Sequence, residues 1–475
     1  MAEIHSVDIA IFVAYLAFML GIGFYFLRRN NSKEDYYVGG RNMSAGHIGL
    51  SVVATDVGGG FSIGLGGLGF LIGLSGSWML FTGLLGAWIS AVFLIPKIYP
   101  IAREHKFLTF PQSLAFYYNA KVGLMAGIIS LMGYIGFTSS QILAGAKLAS
   151  ATFPSVSIVQ AVLIMGVIAV IYTVIGGIKA VIYTDTIQWI ILMLGLVGIG
   201  IPLGFIAIGG WSGIHESLPD KFLTLSNVGL IDLFNWVITI VPIWFVGMTL
   251  YQRIYACKDE QTAKKAWKIA GLFEYPVMAF MGVSLGLFAR VAFEKGIFAS
   301  IGYAPEMTLD PELGLPLLLR TILPVGLMGL MMSAYFSAIM STADSCLMAA
   351  SGNLTTDIFG FFKKSISIKK AQLITFVIGG VAILLATMMH NVLELMLYSY
   401  AFMVSGLLVP VLGSLILKKP SSKAAFYAML VGGSTTLFLI VSKMSLPLGL
   451  DANFFGICTS LITFSIIQTM KIKQV

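Results

Sequence analysis

Apolar residues gather in this chain into runs of roughly twenty, separated by short polar connections, and do not alternate with polar ones. A run of that length crosses the ~30 Å hydrocarbon core as a helix, and about thirteen such runs start near residues 7, 45, 76, 121, 156, 179, 230, 269, 318, 371, 393, 423 and 450. The pattern predicts an all-α polytopic membrane protein. Two of the runs are interrupted. In Ser51 to Gly69, SVVATDVGGGFSIGLGGLG, one acid and a row of glycines stand where a membrane helix should be continuous. Asp56 is expensive at bilayer depth, and Gly58, Gly59 and Gly60 are weak helix formers. Opened backbone is tolerated there only if it is buried in protein or lines a cavity, so the stretch predicts a broken helix at a binding site. The competing reading is a glycine face for close helix packing. The second interruption is VITIVPIWFVGMTLYQR (237–253), with Pro242, Gly247 and Thr249.

Broken helices at corresponding places in two halves point to a transporter's midplane site. Spans two and seven would each open a five-span unit, 45–209 and 230–417, and an odd number of spans inverts the second unit. Around them lie a first helix with its cytoplasmic linker (1–44), external loops at 210–229 and 294–317, and two C-terminal helices with a short tail (418–475).

Charge sets the orientation. Alternate connections carry Arg28/Arg29, Arg103/Lys106, Lys179, Arg253/Lys258/Lys264, Lys363/Lys364, Lys418/Lys419 and the tail Lys471/Lys473. The opposite side carries mostly acids, among them Glu216, Asp220, Asp310, Glu312 and Asp451. Lysine and arginine favour the cytoplasmic side, so the N-terminus is expected outside and the C-terminus inside. Glu3 and Asp8 before the first span, with Arg28 and Arg29 after it, reverse the charge pattern of a cleavable signal. Of the 475 residues 58% are hydrophobic and 11% charged, and the net charge of +8 falls in these clusters. They read as topology signals, with the lipid bilayer and not nucleic acid as the partner. Cys257, Cys346 and Cys458 are too scattered for a disulfide framework and lack metal-ligand spacing. Gly64 to Gly69 reads GxGxxG but lies inside a span and follows no strand, and there is no Walker A sequence. Neither a dinucleotide enzyme nor a primary pump is supported, and no Ser/His/Asp arrangement suggests other catalysis.

Span nine holds the densest polar cluster, YFSAIMSTADSCLMAASGN. Ser333, Ser337, Ser341 and Ser345 recur every four residues and share a helix face, flanked by Thr342 and Asp344. Hydroxyls and carbonyls near a carboxylate suit a hard cation; the alternative is hydroxyls bonding back to the i−4 carbonyl. Asp185 in span six could hold a cation or pair with Lys179, and Gly176-Gly177 reads as the turn between spans five and six. Gln141 in span four could face substrate, and Lys147 is expected to snorkel to the outer surface. Glu274 and Glu394 have no evident role. Ser399 and Tyr400 add polar groups to span eleven before Gly406 and Pro410.

VGGRNMSAGHIGLSVVATD (38–56), GGIKAVIYTDTIQ (176–188), YQRIYACKDEQTAKKA (251–266) and SAIMSTADSCLMAAS (337–351) together resemble the solute:sodium symporters, a family of proline, pantothenate, sialic acid, sugar and choline carriers. The resemblance covers nearly the whole chain. It implies a LeuT-type fold of two inverted five-helix repeats and sodium as the coupling ion. Carried over by motif, it places sodium on the carbonyls of Ala54, Val57 and Ala338 and the hydroxyls of Ser341 and Thr342. It suggests a second sodium or coupling site at Asp185, Ser341, Asp344 and Ser345. Asp56 matches an acid of proline-type carriers linked to sodium coupling. Candidate substrate-contacting residues are Asp56, Gly58, Phe61, Trp78, Gln141, Trp244, Phe245, Thr249 and Tyr400. A quaternary ammonium needs aromatic faces, and Asp56 and Gly247 stand where a choline cage would have two of them. The expected activity is sodium-coupled import of a small polar organic solute, of the amino acid, carboxylate, sugar or amine class, by a monomer in the bacterial cell membrane. The alternatives are a proton-coupled symporter, since Asp56, Asp185 and Asp344 can carry protons, and a transporter-like sensor, which the short C-terminal tail disfavours.

Overall fold

The computed structural model describes residues 5–27, 33–56, 58–153, 155–363 and 366–472. The regular structure of these residues is helical; the one β-bridge among them joins Met43 to Cys257. The longer helices are α1 (Ser6–Leu27), α2 (Ala45–Asp56), α3 (Gly59–Ile72), α4 (Trp78–Phe93), α5 (Ala120–Thr152), α6 (Ile158–Gly195), α7 (Leu230–Val246), α8 (Met248–Ala256), α9 (Glu260–Leu272), α10 (Ala279–Glu294), α11 (Pro311–Ile322), α12 (Leu327–Gly352), α13 (Ile368–Thr387), α14 (Val392–Ile416), α15 (Ser422–Ser442) and α16 (Ala452–Ile472).

Their starts follow capping chemistry. Asn119, Ser157, Asp259 and Asn391 each accept a backbone N–H two or three residues into the following helix, which satisfies a donor the helix leaves unpaired. The start of α12 is capped across the fold: Asp8 Oδ1 on α1 accepts the N–H groups of Gly326 (2.8 Å) and Gly329 (2.7 Å). Asp8 is thus a buried structural acid and not a free topology signal.

Among the described residues, eight helical segments are long and apolar enough to cross a bilayer, and nine if α7 and α8 count as one span. Length and composition alone therefore fall short of the thirteen expected. At twelve residues α2 is only half a span, while α12 is long enough but carries the serine stripe and Asp344, which lower its mean hydropathy. Helical hydrogen bonding continues along α6 for 38 residues. Yet the Tyr172 hydroxyl lies 3.2 Å from Thr184 Oγ1, two residues that a straight helix would separate by about 18 Å. The chain therefore doubles back between them. Lipid-facing positions such as Leu194, Leu384 and Val441 are exposed and apolar.

Both interruptions lie at the centre of the packing. The path bends by 42° between α7 and α8 at Gly247, and α2 ends at Asp56 two residues before the capping position of α3. Val57 lies outside the described residues. The glycines of this stretch divide in function. A Cβ on Gly69 would come within 2.2 Å of the Val283 carbonyl oxygen, so Gly69 serves the close contact of α3 with α10. At Gly58 a Cβ would lie 1.4 Å from Thr342 Oγ1, so here the missing side chain lets the broken helix meet α12.

Candidate functional site

Three helices and one buried cation form a polar knot at the level of the break. Ser51 and Thr55 come from α2, Asp185 from the second arm of α6, Ser341 and Ser345 from α12, and Arg253 from α8. The Arg253 guanidinium is fully buried and lies 3.1 Å from Asp185 Oδ2. It also donates to Ser51 Oγ (2.9 Å), Ser345 Oγ (2.8 Å), the Thr249 carbonyl (3.2 Å) and Thr55 Oγ1. Asp185 accepts from Ser341 Oγ at 2.5 Å and from Ser51 Oγ. A buried ion pair repays its desolvation only with such complete hydrogen bonding.

This geometry corrects two sequence expectations. Asp185 has a partner that the sequence did not suggest, Arg253, while the side chain of Lys179 lies outside the described residues. Arg253 is no cytoplasmic topology charge; it sits one turn beyond Thr249 inside α8, and that helical register was the available signal. Lys147 does not snorkel: it is buried, with Nζ 2.5 Å from Asp310 and 2.6 Å from Glu312. Glu312 also accepts the backbone N–H groups of Val392 and Leu393 at 3.0 Å each, which ties α5, α11 and the start of α14 together.

Beside the knot, oxygen atoms converge on the break. Thr342 Oγ1 lies 3.1 Å from the Ala54 carbonyl oxygen and 3.3 Å from that of Ala338. Ser341 is the neighbouring residue on α12. This donor set, hard oxygens from two helices, has the chemistry that a sodium ion requires. The four residues suggested for a second ion are split. Ser341 bonds Asp185, Ser345 bonds Arg253, and Asp344 turns to Thr173, accepting its Oγ1 at 2.5 Å.

The substrate candidates also separate. Tyr400 donates to Asp56 Oδ1 at 3.3 Å, its ring lies 6.4 Å from Phe61, and 5.0 Å edge-on from Phe137. Thr249 meets the Tyr134 hydroxyl at 3.1 Å. Gln141 is buried beside Ser140, 3.3 Å away. Trp244 packs in T-shaped contact with Trp267 and against Gly86, and the Phe245 carbonyl accepts from Tyr251. Trp78 is held to the loop after α6, donating to the Leu225 carbonyl at 2.8 Å, and is not among the groups gathered around Asp56. Tyr134 and Glu274 are the central residues that the sequence did not single out for this role. The Glu274 and Asp56 carboxyls reach each other.

Comparisons with known proteins agree with this architecture. The Sodium:solute symporter family matches residues 36–432. The "Sodium/glucose cotransporter" of Vibrio parahaemolyticus is 27% identical, over 93% of this chain and 86% of its own length. The "High-affinity proline transporter PutP" of Bacillus subtilis (strain 168) is 28% identical, over 88% of this chain and 89% of its own. A structure of a Na+-coupled sialic acid symporter, in a substrate-bound outward-open state, superimposes with a TM-score of 0.79 at 21% identity and 98% coverage of both chains. That likeness shows the LeuT-type fold. With that match over most of its length, the chain belongs to the sodium:solute symporter family, whose members are membrane transporters coupled to sodium and not enzymes.

Proposed function

We propose that this protein imports a small polar organic solute with sodium by alternating access, across a bacterial cell membrane, with its N-terminus outside and its C-terminus in the cytoplasm. The five-helix units 45–209 and 230–417 act as inverted repeats around the central site. Sodium takes the carbonyls of Ala54, Val57 and Ala338 and the hydroxyls of Ser341 and Thr342. The observation that carries the reading is the Thr342 hydroxyl, which spans the end of α2 and its own helix within 3.3 Å. An ion there replaces a hydroxyl bridge by direct ligation and holds α2 against α12. Because Asp56 follows Ala54 by two residues, fixing the Ala54 carbonyl also fixes the substrate-side end of α2. Ion and solute then strengthen each other's binding reciprocally, since a ligand shifts a conformational equilibrium only through differential affinity. Sodium loss to the low-sodium cytoplasm releases α2 and the solute.

Uptake into proteoliposomes under an imposed sodium gradient tests the reading. In Thr342→Ala, half-maximal uptake should require about 10–100-fold more sodium, the loss of one charge-assisted contact of 1.5–3 kcal/mol. Unchanged sodium dependence would refute the site, and uptake driven by a pH gradient in sodium-free buffer would replace sodium by protons as the coupling ion.

A further inference from the structure

One buried group has no partner in the scheme above. Glu274 lies in the turn of π-helix Phe273–Met278 between α9 and α10, where Tyr275 leaves helical geometry (φ −135°, ψ 123°) and turns the chain. Its side chain is fully buried, and neither carboxyl oxygen has a hydrogen-bond donor among the described residues. Gly83 on α4 leaves room for it; a Cβ there would stand 2.2 Å from Glu274 Oε2. The carboxyl of Glu274 faces that of Asp56, at the end of the broken helix. Two facing carboxyls satisfy each other only by sharing a proton, which leaves the pair one negative charge, and among the described residues its side-chain donor is the Tyr400 hydroxyl on Asp56, at 3.3 Å.

Among the described residues, no side chain supplies the missing positive charge. Arg253, whose field reaches Asp56, has its donors committed to Asp185, Ser51, Thr55, Ser345 and the Thr249 carbonyl. Lys147 is held by Asp310 and Glu312. An isolated buried carboxylate is costly enough that it demands a cation or a donor.

We propose that Asp56 and Glu274 together recognise a protonated amine or amidine group of the transported solute, with the Tyr400, Phe61 and Phe137 rings flanking it. The reading rests on the assignment of the α2 break as the transport site. Carboxylates are matched by N–H donors at about 2.7–2.9 Å, and the flanking rings add cation–π attraction. A quaternary ammonium has no N–H to donate, so the pair selects against choline-like solutes. A carboxylate solute would meet a like charge, and a sugar would leave the pair's charge uncompensated. The recognised class is a cationic amine.

The test is thermal unfolding of the purified full chain in detergent, with saturating sodium or with potassium in its place. The probes are propylammonium, putrescine, guanidinium, tetramethylammonium, glucose and propionate. Sodium alone should raise the Tm, and at least one of the three N–H-bearing cations should raise it further only when sodium is present. Tetramethylammonium, glucose and propionate should not. Glu274→Gln should raise the half-saturating amine concentration at least ten-fold while retaining the sodium shift; Asp56→Asn provides the same readout should Glu274→Gln not fold. The proposal is overturned if no amine shifts the Tm, if tetramethylammonium shifts it equally, or if the variants bind amine like the wild type. Absence of the sodium shift in the wild type would instead strike the sodium site, a separate failure.

Discussion

Two polar centres lie within a helix turn or so of each other along α2, and they solve burial in opposite ways. Around Ser51 and Thr55, every charge has its counterpart: Arg253 neutralises Asp185, and serines and threonines from two further helices take the remaining donors and acceptors. At Asp56 two acids face each other, and Glu274 has oxygens without donors among the described residues. A satisfied centre holds elements together, whereas an unsatisfied one is a vacancy in the hydrogen-bonding of the fold that a ligand can fill. On the proposed reading, the broken helix carries a structural half and a binding half on adjacent turns.

The largest way to break the contrast is at the first centre. Arg253→Met leaves Asp185 buried without its cation, and should lower stability by about 3–5 kcal/mol. The double variant Arg253→Met/Asp185→Asn should regain most of that, because both charges are then gone. Thermal unfolding of the single and double variants measures the difference, and equal losses in both would show that the knot is not organised by the ion pair.

Next in size is Thr342→Ala, with its shift in sodium dependence of about 10–100-fold at little cost to folding. It separates ion ligation from the structural knot one residue away at Ser341.

Glu274→Gln sharpens the second centre. Removing one of two facing acids should leave stability unchanged or raise it by up to about 1 kcal/mol, in contrast with Arg253→Met. A fall of several kcal/mol on unfolding would place Glu274 among the structural groups.

The smallest effect is expected far from both centres, at the exposed cap of α9. Asp259 accepts the Thr262 N–H at 2.7 Å, and that bond holds its carboxyl below the usual carboxylate range. Its folded value is depressed, so its contribution is complete above the unfolded value near 3.9 and lost as pH falls through the folded one. The Tm difference between wild type and Asp259→Ala should be constant at neutral pH and shrink toward pH 3. An unchanged difference would mean that the cap acts without its charge.

Several of these residues were legible as types before they were legible as partners. The serine period in 333–345 placed Ser341 and Ser345 on one face, and the structure uses both with α2 and α6. The same period could not say that Asp344, one residue from Ser345, turns away to Thr173. Arg253 looked like a loop charge because only the bend at Gly247 carries α8 inward, and a linear count of positive residues has no term for that. Glu274 stood alone in its span; its partner is Asp56, 218 residues earlier in the chain.

What the sequence determined by itself is the membrane class, the two interruptions and the family, because the hydrocarbon core imposes a length and polarity on each helix that can be read locally. Only the tertiary structure decided which buried charges neutralise one another and which face each other unpaired. Burial makes each charge's cost depend on groups within a few ångströms, and those arrive from helices far apart in the chain.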